Sequence, residues 1–301
     1  MKSPKRSRRP EAPAAPRPPF PAQHQRAPGL ESKLKPEPRW QAAHYRAAGK
    51  LEGKVALITG GDSGIGRSVA FLYAREGADV AIVYLPEEES DAQATRRSVE
   101  SVGQRCLLLP ADLTTPAACR RVVAKTVKTF GRLDILVSNA AHQSRKASLE
   151  KVTEAEFDRT FKTNIYAYFR LTQAALPHLK QGAAIIATSS ETGIMGAAEL
   201  PDYSSTKGAI NALTKTLAID LIKRGIRVNA VAPGPVWTPL NPSDAGKNAK
   251  EVAKFGADSP MGRPAQPEEL APAYVFLASN PDSSYITGIV LQVMGGETTG
   301  G

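Results

Sequence analysis

The chain has 301 residues, of which 39 are Lys or Arg and 29 are Asp or Glu, so its formal net charge is +10. The charge is uneven, because residues 1–50 carry 12 − 3 = +9 and residues 51–301 carry 27 − 26 = +1. The nearly neutral body argues against nucleic-acid binding by a folded basic face. No apolar run approaches the roughly 20 residues that a membrane helix needs.

The composition is that of a globular protein, with 42% hydrophobic and 23% charged residues. Its two cysteines, Cys106 and Cys119, lie in apolar segments without CxxC spacing or a His cluster. We therefore expect neither structural disulfides nor a metal site, and we expect a cytoplasmic location.

The basic N-terminal region divides into two parts. Residues 1–19 combine Arg and Lys with six prolines, which predicts a disordered tail. Weak binding of an anion or nucleic acid by this tail is the alternative to a merely solvated segment. Residues 20–50 predict an extended arm laid across a folded surface, because their apolar residues follow no regular period: Phe20, Leu30, Leu34, Trp40 and Tyr45.

From residue 51 onward, strand-like and helical segments alternate. Apolar runs predict strands at Val55–Thr59, Asp79–Leu85, Arg105–Pro110, Ile135–Ser138, Ala183–Thr188, Arg227–Val231 and Ile289–Val293. Helical patterns lie between them at 65–75, 90–102, 117–129, 155–179, 204–223 and 268–278. This alternation predicts an α/β fold, a single Rossmann-type doubly wound parallel sheet of about seven strands with helices on both faces, in one domain covering 51–301.

A glycine-rich turn with GxxxGxG spacing follows the first predicted strand and opens the first helix. Such glycines allow a tight turn, a close approach of the backbone to a pyrophosphate and close helix–strand packing. The helix N-terminus also favours phosphate. An ordinary turn is the alternative, but the position after a strand favours a dinucleotide site formed by Gly60, Asp62, Ser63, Gly64, Ile65 and Gly66.

Tyr203 and Lys207 lie four residues apart in a predicted helix and share one of its faces. An ammonium near a phenol favours the phenolate, so this spacing predicts that Lys207 lowers the pKa of Tyr203. A phenol tuned in this way donates a proton to a carbonyl oxygen or accepts one from an alcohol. The alternative is an ordinary amphipathic helix.

Three further polar residues are predicted near the same edge of the sheet. Ser190 and Asn139 each follow a predicted strand, and Asn164 lies in the long helix after the fourth strand. Doubly wound sheets bind ligands at the carboxyl ends of their strands. We therefore expect these groups to converge with Tyr203.

These motifs, in this order and spacing, resemble the short-chain dehydrogenase/reductase family over essentially residues 51–301. The resemblance implies that Tyr203 is the general acid/base, that Ser190 holds the substrate oxygen, that Lys207 also binds the nicotinamide ribose, and that Asn164 supports a water relay. Beyond the glycine turn, Tyr203 and Lys207, it implies cofactor contacts from Tyr84, Asp112, Leu113, Asn139, Ala140, Ala141, Pro233, Gly234, Val236 and Thr238.

More narrowly, the arm, the glycine turn, Tyr84-Leu85-Pro86 and residues 235–239 resemble one branch of that family. The branch contains stress proteins, glucose and ribitol dehydrogenase-like proteins and bacterial aldehyde reductases, and its members are usually homotetramers. Ser138 and Ala141 depart from the family's usual Asn-Asn-Ala-Gly sequence. Because neither belongs to the proton-transfer set, we expect little cost to activity.

The resemblance implies hydride transfer between a nicotinamide cofactor and a small carbonyl or alcohol substrate, which is an aldehyde, a ketone or a polyol. We expect residues 237–263 to form a mobile cover over the substrate, with His142 as a candidate substrate contact. The cofactor is NAD or NADP. The acids Asp62 and Glu87 to Glu89, near the end of the second strand, favour NAD, whereas Arg67 or a distal base would favour NADP.

Two other functions remain open at this point. A non-catalytic dinucleotide-binding or sensing protein would have no need of Ser190, Tyr203 and Lys207, all of which are present. A reductase of activated C=C bonds usually spaces its Tyr and Lys more widely than this chain does.

Overall fold

The computed structural model describes residues 14–298. The strands are β1 Val55–Thr59, β2 Asp79–Tyr84, β3 Cys106–Pro110, β4 Ile135–Ser138, β5 Ala184–Thr188, β6 Arg227–Pro233 and β7 Val290–Val293. They form one parallel sheet in the order β3-β2-β1-β4-β5-β6-β7. The predicted seven-stranded doubly wound sheet is therefore confirmed.

Ten α-helices lie within the described residues: α1 Gly64–Arg75, α2 Glu89–Glu100, α3 Pro116–Phe130, α4 Glu154–Phe161, α5 Ala167–Ala175, α6 Thr192–Met195, α7 Pro201–Leu221, α8 Ala249–Ala253, α9 Pro267–Ala278 and α10 Asn280–Ser283. Single 3₁₀ turns occur at Glu31–Lys33, Pro86–Glu88, Leu149–Lys151 and Ile222–Arg224. None of the helices within residues 14–298 is both long and apolar enough to cross a membrane.

The first strand shows why helices cover both faces of the sheet. All five residues of β1 are buried. Ala56 and Ile58 pack with α1 and α9, whereas Leu57 packs with α3, α5 and α7. Because alternate residues of a strand face opposite sides, a strand buried along its whole length needs an apolar layer on each face.

The single helix predicted over 155–179 is wrong in one respect. A π-helical turn, Lys162–Tyr166, separates α4 from α5, and α5 ends at Ala175. The turn contains Asn164, whose buried amide is hydrogen-bonded outside its own helix. Apolar periodicity cannot reveal such a bulge, because the segments on both sides of it are helical.

Residues 14–50 form an extended arm whose regular structure, within the described residues, is the single turn at Glu31–Lys33. Phe20, Leu34 and Trp40 are buried against the rest of the chain. Their burial stabilises an arm that has little regular secondary structure of its own. Residues 1–13 of the predicted disordered tail lie outside the described residues, and 14–19 have no regular secondary structure.

Candidate active site

An open cleft of about 740 Å³ runs along the carboxyl ends of the strands, where the strand order reverses between β1 and β4. Doubly wound sheets bind ligands at this position, and the volume is in the range of ligand sites. Nearly all predicted site residues line the cleft: Gly60, Asp62, Ser63, Gly64, Ile65, Tyr84, Asp112, Leu113, Asn139, Ala140, Ala141, Ser190, Tyr203, Lys207, Pro233, Gly234, Val236 and Thr238. Asn164 and Gly66 do not line it.

The glycine turn closes tightly between β1 and α1. Gly60 has φ +62°, in the left-handed region that favours glycine. A Cβ atom on Gly66 would lie 1.8 Å from the carbonyl oxygen of Gly60. Gly66 therefore packs α1 against the turn from beneath, while Gly64 and Ile65 present the start of α1 to the cleft.

Acidic side chains surround the end of β2. Asp62 is buried, and among residues 14–298 no hydrogen-bond donor reaches its Oδ2 atom. Burial, together with the negative charge of Glu88, raises the pKa of Asp62 to about 8. Burial also raises the pKa of Glu88 to about 7. The Tyr84 hydroxyl donates to Glu89 over 2.6 Å. This end of the cleft therefore offers hydrogen-bond acceptors and disfavours additional negative charge.

Asn139 ties the glycine turn to the neighbouring strands. Its Nδ2 group donates to the carbonyl oxygens of Thr59 and Gly60, at 3.1 and 3.2 Å. Its Oδ1 atom accepts from the Thr188 hydroxyl at 3.0 Å. Asn139 thus fixes β1, β4 and β5 relative to one another at the floor of the cleft.

Tyr203 and Ser190 meet at the edge of the sheet, on α7 and just after β5. Burial raises the pKa of Tyr203 to about 12, although its hydrogen bond with Ser190 and the charge of Arg145 act in the opposite direction. Ser190 Oγ also accepts from the amide and hydroxyl of Thr192, both at 3.2 Å. The phenol is therefore protonated at neutral pH and can act as a proton donor.

Burial, rather than Lys207, dominates the pKa of Tyr203, so the expected lowering of that pKa does not appear among the protein's own groups. Lys207 Nζ donates to the Thr188 carbonyl oxygen at 2.7 Å and lies 5.2 Å from the centre of the Tyr203 ring. Burial lowers the pKa of Lys207 itself to about 7. Sequence spacing predicts the shared helix face, but the desolvation that dominates both pKa values comes from the folded surroundings.

Asn164 acts as a structural clamp in this arrangement. Its Oδ1 atom accepts from the His142 amide at 2.7 Å, and its Nδ2 group donates to the His142 carbonyl oxygen and the Thr206 hydroxyl, both at 3.0 Å. The side chain thus fixes the backbone where His142 enters the cleft. A contribution of Asn164 to a water relay stays a prediction.

The substrate end of the cleft carries charged residues that the sequence analysis did not identify. Asp244 is buried and accepts from the Gln143 side chain at 2.7 Å and the Arg145 amide at 2.8 Å. Arg145 also pairs with Glu199 at 3.2 Å. Glu191 lines the cleft directly after Ser190, and burial raises its pKa to about 7. Their separation along the chain left no local signal for this cluster.

The arm also reaches the cleft, which the sequence analysis did not foresee. Ala27, Pro28 and Gly29 line it beside the glycine turn. The buried carboxylate of Glu31 accepts from the Gly64 amide at 2.5 Å and from Arg67 at 2.8 Å. The arm therefore contacts the glycine turn on the side away from the sheet. In the sequence, the sole indication of this contact was an acidic residue, Glu31, between the apolar residues of the arm.

The segment 237–263 lies at the substrate end as expected, but one of its aromatic residues points elsewhere. Leu240 and Phe255 line the cleft. Trp237 is fully buried and packs against Phe20 of the arm. Met261 is 55% exposed and does not line the cleft. Leu240 and Phe255 therefore face the cleft, whereas Trp237 joins the segment to the arm; the mobility expected of this cover stays a prediction.

Comparison with known proteins identifies the family. A family model described as enoyl-(acyl carrier protein) reductase matches residues 60–298. General stress protein 39 of Bacillus subtilis is 54% identical over 278 residues, which cover 92% of this chain and 96% of that protein. The chain belongs to the short-chain dehydrogenase/reductase family. It is a nicotinamide-dependent oxidoreductase of that family.

Two plant members of the family are also similar over most of their length. The chloroplastic NADPH-dependent aldehyde reductase 1 of Arabidopsis thaliana is 48% identical, covering 89% of this chain and 94% of its own. Glucose and ribitol dehydrogenase of Daucus carota is 47% identical, covering 94% and 98%. The predicted branch of the short-chain dehydrogenase/reductase family is therefore confirmed.

A solved structure in the same family is that of a short-chain dehydrogenase from Burkholderia cenocepacia J2315 in complex with NADP. It is 35% identical, with a TM-score of 0.76, and the match covers 82% of this chain and 98% of that one. The parallel sheet and its helices are thus those of the short-chain dehydrogenase/reductase fold.

Proposed function

We propose that this enzyme transfers a hydride between a nicotinamide cofactor and a small aldehyde, ketone or polyol, with Tyr203 as the general acid/base. The observation that carries the proposal is the placement of Tyr203, Ser190 and Lys207 along one wall of the cleft that begins at the glycine turn. A site that only bound a dinucleotide would need the turn but not a buried phenol paired with a serine hydroxyl.

The residues of the cleft fit a dinucleotide. The tight packing at Gly60 and Gly66 leaves backbone, rather than side chains, at the start of α1. The buried Oδ2 atom of Asp62 provides a hydrogen-bond acceptor for a ribose hydroxyl. Lys207 and Asn139 would lie along the nicotinamide half, with Pro233 and Thr238 beside them. When bound, the nicotinamide supplies the hydride chemistry.

The chain's own residues handle the proton. The phenol of Tyr203, protonated at neutral pH, donates to the substrate oxygen as negative charge develops there during reduction. Ser190 directs its hydroxyl to the same oxygen and stabilises that charge. In the oxidation direction the phenolate of Tyr203 accepts the proton of the alcohol, and a protonated Lys207, 5.2 Å from the centre of the ring, favours that phenolate.

We propose NAD as the preferred cofactor. A 2′-phosphate at the end of β2 would add negative charge where burial and neighbouring carboxyl groups already disfavour it, as the raised pKa values of Asp62 and Glu88 reflect. Relatives with other preferences exist, since the Arabidopsis relative is named NADPH-dependent and the Burkholderia structure contains NADP. The pair Asp62 and Glu88 is therefore the feature on which this part of the proposal rests.

The substrate end of the cleft supports a small polar substrate. Glu191, Arg145 and His142 form part of its wall, with the apolar side chains of Leu200 and Phe255 beside them. Hydroxyl groups of a polyol or hydroxyaldehyde would find both acceptors and donors there. The Daucus relative, named glucose and ribitol dehydrogenase, is consistent with such a substrate.

We also propose a homotetramer in the cytoplasm. Large apolar side chains are exposed on the helical surface, which supports assembly with further copies of the chain: Leu149, Phe157, Tyr166, Phe169 and Ile219. The thiols Cys106 and Cys119 are buried and unpaired, consistent with a reducing compartment. Sedimentation analysis giving a monomer at micromolar concentration would contradict the tetramer.

The proposed function is tested by following nicotinamide absorbance with aldehydes, ketones, sugar alcohols and an enoyl thioester, each with NAD(H) and NADP(H). We expect turnover of carbonyl or alcohol substrates and a higher kcat/KM with NAD(H). Cofactor binding without turnover of any substrate would favour a sensing protein. Preferential reduction of the enoyl thioester would instead assign the enzyme to C=C bonds.

A further inference from the structure

The arm and the substrate cover (residues 237–263) share an apolar cluster that is separate from the two large cores. Phe20 and Leu34 of the arm pack with Trp237 and Val252 of the cover, and Phe255 lies at the edge of the cluster. The ring centroids of Phe20 and Trp237 lie 4.4 Å apart. Two of the side chains that bury this part of the cover thus come from residues before the domain.

Hydrogen bonds fasten the same two segments to each other. They run from the Phe20 amide to Ala253 O (2.7 Å), from the Gln25 amide to Pro242 O (2.8 Å) and from Trp237 Nε1 to Pro36 O (2.8 Å). They are spread along both segments, from the first turn after β6 to the end of α8. The cover is therefore held over much of its length rather than at one point.

The cover contacts the cleft with its opposite side. Phe255 lines the cleft, and its ring centroid lies 6.3 Å from that of Trp237. Leu240 lines the cleft three residues after Trp237. The packing thus runs without interruption from Phe20 through Trp237 and Phe255 to the substrate end of the cleft.

The arm contacts the cofactor turn through a different residue. Glu31 binds the Gly64 amide and Arg67, eleven positions after Phe20. Loss of the Phe20 ring leaves this second anchor intact. The two ends of the cleft can therefore be perturbed separately through the arm.

We propose that the arm is a positioning element for the substrate, with Phe20 and Leu34 holding the cover where Leu240 and Phe255 close the substrate end of the cleft. Loosening this contact raises the KM for the carbonyl substrate and leaves cofactor affinity unchanged. The effect on KM rests on the proposed function, whereas the holding of the cover does not.

The variant Phe20→Ala tests the proposal by hydrogen–deuterium exchange on the full-length protein. We expect amides in residues 249–263 to exchange about tenfold faster. Local opening of this segment costs less free energy when it no longer has to break the buried contact with the Phe20 ring. Exchange in the glycine turn, residues 60–66, stays as in the wild type. Phe20→Leu, which keeps an apolar side chain there, restores most of the protection.

Kinetics give the second readout. In Phe20→Ala we expect the KM for the best carbonyl substrate to rise about tenfold, with the dissociation constant of the cofactor within about twofold of the wild-type value. Tyr45→Phe is the matched control, because it removes an arm hydrogen bond to Glu76, far from the cover. This control leaves both constants and the exchange of 249–263 unchanged.

Unchanged exchange in residues 249–263 of Phe20→Ala overturns the proposal, as does an equal rise in residues 60–66. If Phe20→Ala does not fold, Trp237→Phe decides, since it removes the indole donor to Pro36 and part of the ring but keeps an aromatic side chain in the cluster. We then expect the amide exchange rate to rise about threefold in the cover alone. An unchanged exchange rate in the cover would overturn the proposal. If the wild type neither reduces a carbonyl nor oxidises an alcohol, the proposed function fails, while the exchange experiment still decides the role of the arm.

Discussion

The cofactor end of the cleft is lined mainly by backbone, whereas the reaction end is lined by titratable side chains. At the glycine turn the backbone forms the surface, and a Cβ atom on Gly66 would lie 1.8 Å from Gly60 O. At the end of β5 the surface consists of buried titratable side chains, and burial moves the pKa of Tyr203 to about 12 and that of Lys207 to about 7. Binding thus depends on backbone shape, and chemistry depends on desolvation.

The largest expected effect is a loss of turnover with cofactor binding retained. We expect Tyr203→Phe to lower kcat by about 10³-fold, because the proton donor is lost, with the cofactor dissociation constant within about twofold of wild type. Single-turnover rates and nicotinamide fluorescence measure the two quantities. Tyr168→Phe, which loses another buried phenol away from the cleft, should keep its activity. Retained turnover in Tyr203→Phe would remove the tyrosine from the mechanism.

A change in the glycine turn should instead weaken cofactor binding. Gly66→Ala forces the turn open, so we expect cofactor affinity to fall by about 100-fold and the melting temperature to drop, measured by calorimetric titration and thermal unfolding. Gly208→Ala is the matched control, because its Cβ would meet only Gly193 O, at 3.5 Å. Normal cofactor binding in Gly66→Ala would show that the turn does not shape the site.

A smaller change tests whether side chains have any role at the cofactor end. We expect Asp62→Asn to reduce the preference for NAD over NADP about tenfold, because the amide replaces one acceptor oxygen with a donor group and cannot ionise beside a 2′-phosphate. The ratio of kcat/KM values for the two cofactors measures the effect. Glu100→Gln, at the exposed end of α2, removes an acid that lies outside the cleft and should leave the ratio as it is. An unchanged ratio in Asp62→Asn would contradict the NAD proposal.

The last prediction concerns stability at the reaction end. The pKa of Lys207 is about 7 in the folded protein and 10.5 for an ordinary lysine, so between these values the unfolded chain binds more protons and wild-type stability rises with pH. Lys207→Met loses this dependence. Its melting temperature relative to wild type should therefore be most favourable at or below pH 7 and decline toward pH 10.5.

The slope of that difference with pH is the readout, because the lost hydrogen bond to Thr188 O shifts stability equally at every pH. Thermal unfolding without cofactor, between pH 6 and pH 10, measures it. Lys215→Met, on the exposed side of the same helix, is the control for the loss of a lysine from α7. A parallel pH profile in Lys207→Met and wild type would mean that burial does not depress the lysine pKa.

The positions of the strands along the chain and the place of the glycine turn were determined by the sequence itself. Both depend on local patterns, because an apolar run or a glycine spacing carries its meaning within ten residues. The Tyr203–Lys207 pair was also evident, since four residues of helix place two side chains on one face. The pKa values of Tyr203 and Lys207 could not be predicted from the sequence, because desolvation depends on all the residues that pack around the helix.

Only the tertiary structure decided what lies across the cleft. Asp244 holds Arg145 from 99 positions away, Glu31 reaches Gly64 from 33, and Phe20 packs on Trp237 from more than 200. Asn164, expected near the proton path, holds the His142 backbone because a π turn directs it there. Contacts of this kind join segments that are far apart along the chain. Local sequence patterns cannot predict them, because the contacts form only when the whole chain has folded.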